Sequence, residues 1–121
     1  MAIASEVELS MILEQAILQV RQGQEKDFET AMRQAQPLIA ATPGFVRLEL
    51  RDCIESPGKY LLLVWWRKLE NHTVDFRQSE RYQQWRALLH HFYDPFPVVE
   101  HYTAALLTTE AADGPTASSA L

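Results

Sequence analysis

The sequence predicts a ferredoxin-like α+β fold of order βαββαβ, and three observations predict it. Apolar residues alternate with period two in three separate stretches, as in half-buried strands. Between them, two stretches repeat at helical spacing. The turn Ser56-Pro57-Gly58 joins two strand-like runs closely enough to make a hairpin. That element order gives a four-stranded antiparallel sheet with the helices on one face.

The elements follow in order. Ile12 to Val20 (ILEQAILQV) places Ile12, Ala16, Leu18 and Val20 on one face, with Glu14 the exception in that row. Gly23 breaks the strand. From Gln24 to about Gln36, Phe28, Ala31, Met32 and Ala35 form the apolar stripe of a helix, and Pro37 is expected to kink or restart it. Thr42-Pro43-Gly44 ends the helix. Phe45 to Ile54 turns Val46, Leu48, Leu50 and Ile54 inward and Arg47, Glu49 and Arg51 outward. Tyr60 to Arg67 is apolar on both faces. Leu69 to Phe76 holds a short helix, and Ser79 caps a second amphipathic helix bearing Tyr82, Trp85, Leu88 or Leu89, and Phe92. Asp94-Pro95-Phe96-Pro97 stops it, and Val98 to Leu106 is the last strand.

Composition sets the outer bounds. A chain of 121 residues, 47% hydrophobic and 22% charged, builds one globular domain. The expected limits are a loose segment over 1–11, the domain over 12–107 and a flexible tail over 108–121. A net charge of −5 argues against nucleic-acid binding, which requires a basic face. The single Cys53 excludes an internal disulfide; its parity puts it on the Arg47 and Arg51 face, with no base positioned to activate it. No secretory signal opens the chain, and the run Tyr60 to Trp66 is far shorter than a membrane span, so a cytoplasmic location and no membrane contact are expected.

The two-sided third strand bears on assembly. Tyr60, Leu62, Val64 and Trp66 share one face; Leu61, Leu63 and Trp65 share the other. Only one face can meet the chain's own helices. The other would expose a contiguous apolar patch, which a symmetric homodimer packed sheet against sheet covers. Trp65 is therefore assigned to the interface. His101, opposite in parity to Glu100 and Tyr102, is placed at the dimer seam.

The run YLLLVWWRKLENHTVDFRQSERYQQWRALLHHF, followed by PFPVVEHY, resembles the antibiotic biosynthesis monooxygenase (ABM) domain. Gly23, Phe28 and the Pro43-Gly44-Phe45 turn add to the resemblance, which spans nearly all of 12–106. It implies a dimeric α/β-barrel of ferredoxin-like subunits. The activities it brings include cofactor-free oxygenation of polyketide quinols, haem degradation and isomerisation of quorum signals. Fold alone does not choose among them.

Matched to the cofactor-free oxygenases, Trp66 corresponds to a pocket tryptophan, His72 falls where a pocket tyrosine lies, and Arg86 matches a helix arginine. Leu62 replaces an asparagine and cannot hydrogen-bond. Matched to the haem-degrading subgroup, Phe76 stands at a pocket tryptophan and Arg86 or Trp85 at the iron-binding histidine, so no haem is expected. His90 and His91 point about 100° apart on a helix, and with His101 they form no fixed-spacing metal motif; no metal and no cofactor are expected.

The resemblance thus implies a cofactor-independent monooxygenase on an aromatic, quinol-like small molecule. His72 would be the base and Arg86 the oxyanion holder. Trp66, Leu62, Phe76, Tyr82 and Trp85 would wall the pocket. Each residue also has a purely structural reading: Trp66 as packing, His72 as a solvated side chain, Arg86 as a surface partner of Glu80 or Asp75. The rival function is a non-catalytic, stress-related dimer that only binds a small ligand, and the absent asparagine favours it.

Overall fold

The computed structural model describes residues 11–112; the remaining parts of the expected loose ends, 1–10 and 113–121, lie outside the described residues. The chain forms β1 (Ile12–Gln19), α1 (Glu25–Ala40), β2 (Phe45–Asp52), β3 (Lys59–Trp66), one turn of π-helix (Asn71–Phe76), α2 (Glu80–Leu89), a 3-10 turn (His90–Phe92) and β4 (Val99–Tyr102). The strands lie in the order β2-β3-β1-β4, every neighbouring pair antiparallel. This is the ferredoxin-like α+β fold that the alternation predicts.

Strand pleat decides what the sheet offers to each side. On β3, Tyr60, Leu62, Val64 and Trp66 are buried, while Leu61, Leu63 and Trp65 are only half-buried. On β1, Glu14, Ala16 and Leu18 join the buried side. Against them pack Phe28, Ala31, Met32, Ala35 and Ile39 of α1 with Trp85 and Leu89 of α2. Among the described residues, no helix is long and apolar enough to cross a membrane.

Four local expectations are corrected. Helix α1 runs through Pro37 to Ala40; the ring removes one donor, but Ile39 continues the buried stripe and holds the last turn on the core. In β2 the register slips between Phe45 and Arg47, so Val46 faces the helix-free side with Leu63 and Trp65. Strand β2 also ends at Asp52, leaving Ile54 93% exposed in the hairpin. The last strand stops at Tyr102, and Leu106 and Leu107 are exposed beyond it.

The short helix expected at 69–76 is a π turn, in which the Arg77 N–H donates to the His72 carbonyl at 3.1 Å. Its start is anchored by Asn71. The Asn71 side-chain oxygen accepts the Lys68 N–H at 2.9 Å, and its amide donates to Asp75 at 3.0 Å. That amide fills the space where a side chain at Gly44 would stand, and Gly44 has φ +83°. Only glycine satisfies both demands. At the far end, the Ser79 hydroxyl donates to the Phe76 carbonyl at 2.6 Å and accepts the Tyr82 N–H at 3.2 Å, capping α2.

Gly44→Ala is therefore expected to destabilise the domain by about 1–3 kcal/mol, through a strained φ and a displaced Asn71. Urea unfolding measures it; an unchanged midpoint would show that Asn71 yields freely.

Candidate functional site

Trp66 ends β3 on its inner side and is fully buried. Its indole N–H donates to Glu14 Oε1 at 2.9 Å. Glu14 is 5% exposed and lies directly across β1–β4 from His101. The π turn brings His72 over both: its ring stacks on Trp66 with centroids 5.5 Å apart and planes 18° from parallel. His72 Nε2 lies 3.5 Å from Glu14 Oε1, and His72 Nδ1 lies 2.8 Å from His101 Nε2. One proton must occupy the His72–His101 contact, one ring donating and the other accepting.

This cluster sits at one wall of a cavity of about 310 Å³, within the range of small-molecule sites. Glu14, His72, Arg77 and His90 supply polar groups; Leu62, Phe76, Tyr82 and Trp85 supply apolar lining. Phe76 meets Tyr82 and Trp85 edge-on, at 5.4 and 5.6 Å between centroids. The lining is thus aromatic on the α2 side and acid–base on the β1 side.

Burial sets the protonation of the cluster. It pushes the Glu14 carboxyl up to about 7, against the opposing pull of the Trp66 N–H and the Arg77 charge. Burial pushes His72 down to about 3, with Arg77 and His101 adding to the effect. Burial and then Arg77 lower His101 as well. His90 falls to about 4, through burial and then Arg86. At neutral pH the cavity therefore holds neutral imidazoles and a carboxyl poised between its two forms.

The sequence-derived site residues fall into two groups. His72, Leu62, Phe76, Tyr82 and Trp85 line this one cavity. Trp66 stands behind His72 as its support and does not line it. Arg86 is on the solvent side of α2, bonded to Gln83 at 3.4 Å; adjacent helix residues diverge by about 100°, so Trp85 facing inward turns Arg86 out. The guanidinium that lines the cavity is that of Arg77. His101 is likewise not on the helix-free face: it points inward to His72. Sequence reasoning missed Glu14, Arg77 and the inward His101. The signal for Glu14 was present, because it is the one charged residue in the inward row of β1.

Fold and site together define a small ferredoxin-like domain with an aromatic cavity and a buried acid–base cluster. Comparison with known proteins gives the family. The family model for antibiotic biosynthesis monooxygenase matches residues 11–88. The chain is 51% identical over 92 residues to the uncharacterized protein YczJ of Bacillus subtilis, covering 76% of this chain and 97% of that one. A crystal structure from Bordetella bronchiseptica with the same family description is 40% identical, with a TM-score of 0.77 over 80% of this chain and 99% of the other. SnoaB of Streptomyces nogalater, a cofactor-independent oxygenase, shares the fold at 17% identity and a TM-score of 0.65, over 83% of this chain and 96% of its own. The chain belongs to the antibiotic biosynthesis monooxygenase family.

The Glu14 shift fixes a pH dependence. A carboxyl held above its unfolded value keeps its proton in the folded state, so stability falls as pH rises from about 4.5 to about 7. The lowered histidines act oppositely, and their contribution is lost as pH falls below the ordinary histidine range. Glu14→Gln removes only the alkaline loss. Its thermal stability relative to wild type is expected to improve with rising pH, by on the order of 3 kcal/mol at alkaline pH. A difference independent of pH would show that Glu14 ionises normally.

Proposed function

We propose that the protein is a cofactor-independent monooxygenase acting on an aromatic, quinol-like small molecule bound in this cavity. One observation carries the reading: a buried Glu14–His72 pair opens onto a cavity whose other walls are flat rings. Family membership and the shared fold of a cofactor-independent oxygenase support it.

The substrate must itself reduce oxygen. The Glu14–His72 pair takes the proton of a ring hydroxyl. The anion left behind is electron-rich enough to hand electrons to oxygen. A carbon–oxygen bond forms as a hydroperoxide, and loss of water leaves a carbonyl. For a phenol with a free para position, phenol plus oxygen gives quinone plus water. Arg77 faces the developing negative charge, the task expected of Arg86 from the sequence. Leu62, Phe76, Tyr82 and Trp85 hold the ring and exclude water. Trp66 keeps Glu14 and His72 in place.

The working unit in this reading is a homodimer. Leu13, Val46, Leu63 and Trp65 line a broad depression on the helix-free face. Arg47 lies 5.0 Å over the Trp65 ring, and Glu49 bridges Arg47 and Arg51 around it. An apolar centre with a charged rim is how a subunit interface is built. Light scattering is expected to give twice the chain mass, and Trp65→Arg to give the single-chain mass with helical circular dichroism retained. A wild-type monomer at micromolar concentration would overturn the dimer.

A second reading is a ligand-binding dimer without catalysis. Leu62 favours it, since this cavity residue stands where the resembling oxygenases place a hydrogen-bonding asparagine. Oxygen uptake with a panel of hydroquinones and naphthols, without added flavin or metal, separates the two. The oxygenase consumes oxygen above the buffer control, loses about a hundredfold in kcat on His72→Ala or Arg77→Ala, and is unchanged by Arg86→Ala. Uptake equal to the control for every compound, with binding intact, supports the binding protein instead.

A further inference from the structure

We infer that Glu14 is the group that accepts the substrate proton, and that His72 and His101 pass it on towards the β4 edge of the sheet. The inference rests on the cavity being a site of proton abstraction. It goes further by naming the acceptor and the way out.

The geometry separates the roles. Both protein contacts of the Glu14 carboxyl fall on Oε1, from the Trp66 N–H at 2.9 Å and His72 Nε2 at 3.5 Å. Among the described residues Oε2 has no hydrogen-bond partner, and Glu14 lines the cavity, so that oxygen is the one a ligand hydroxyl meets. His72 is placed differently. Its Nε2 is turned to Glu14 and its Nδ1 to His101 at 2.8 Å. A ring placed this way can take a proton on Nε2 from one neighbour and give one from Nδ1 to the other. His72 is 3% exposed, whereas His101 is half-buried on the short edge strand, one step nearer to water.

The transfer balances at each step. The substrate O–H bond breaks as an O–H bond forms on Glu14. As that proton arrives on Oε2, the proton on Oε1 moves to His72 Nε2 and the Nδ1 proton of His72 moves to His101 Nε2, and His101 releases its own Nδ1 proton to water. No imidazole need hold two protons for long, as suits rings buried beside the fixed charge of Arg77. The charged and polar groups facing the cluster and its cavity are Arg77, which follows the π turn, the Trp66 N–H from β3, and Tyr82 of α2 and His90 of the 3-10 turn. The 3.5 Å contact is the looser link, and contacts of this kind tighten when a ligand closes the site.

Two measurements decide it. In the ligand-free protein, the Trp66 indole N–H resonance and the ring C–H resonances of His72 and His101 are expected to move together through one transition in the neutral range. Glu14→Gln should remove that transition from all three. Independent midpoints, or a transition surviving Glu14→Gln, overturn the shared proton. With a hydroquinone that wild type oxidises, Glu14→Gln should lower kcat about a hundredfold with KM unchanged. His101→Gln should lower kcat at constant KM, enlarge the solvent deuterium isotope effect and be rescued by added imidazole; an unaltered kcat in either variant overturns the assignment. If wild type consumes no oxygen, the oxygenase reading fails by itself, while the resonances still decide the relay.

Discussion

A carboxylate cannot stay charged in an apolar interior unless something offsets the lost hydration, and Glu14 sits in the inner row of a strand otherwise lined by Ala16 and Leu18. The contact that settles its position is the Trp66 indole N–H on Oε1. This bond dictates more than one rotamer. It fixes the indole plane at the end of β3, and the fixed plane is the platform on which His72 stacks. His72 in turn touches His101, the cross-strand partner of Glu14. Three strands and the π turn thus converge on one carboxyl.

The π turn carries His72 and Phe76 into this convergence. An ordinary α turn would bond each N–H four residues back; here the Arg77 N–H reaches the His72 carbonyl, five back. His72 and Phe76, four residues apart, share a face in either geometry, and both face the sheet, buried. Asn71 against Gly44 pins the beginning of this turn, and Ser79 bonds to its last carbonyl while capping α2. Phe76 therefore arrives between Trp66, Tyr82 and Trp85 as a fixed wall. The aromatic lining and the acid–base cluster are two ends of one short segment.

The fold was legible because pleat and helix periods are local properties: β1, β3 and α1 announce themselves within eight to sixteen residues. The turn at 69–76 was legible as helical but not as π, and the packing of Asn71 against Gly44, distant in sequence, was not legible either. The cavity walls were legible where helical spacing and resemblance agreed, at Phe76, Tyr82 and Trp85. Resemblance alone misled at Arg86, although Trp85 beside it already pointed inward. Glu14 stood out by parity. Its meaning did not, because the donor that stabilises it lies 52 residues away.

The same parity that buries Glu14 divides the sheet's two faces by chemistry. Trp66 and Trp65 are adjacent, yet one indole bonds a carboxyl beside a cavity and the other lies under Arg47 on the helix-free face. On the cavity side, neutral imidazoles and a carboxyl poised near neutrality surround the site, with Arg77 the only lining cation among the described residues. Such a site resists a ligand that arrives as an anion, since Glu14 would then have to keep its proton. In the proposed reading it suits a neutral aromatic hydroxyl that ionises after entry, when its charge faces Arg77 and its proton has a carboxyl to receive it. In that proposed reading, electrostatics thus selects for ionisation inside the cavity, which is the condition a cofactor-free reaction with oxygen requires.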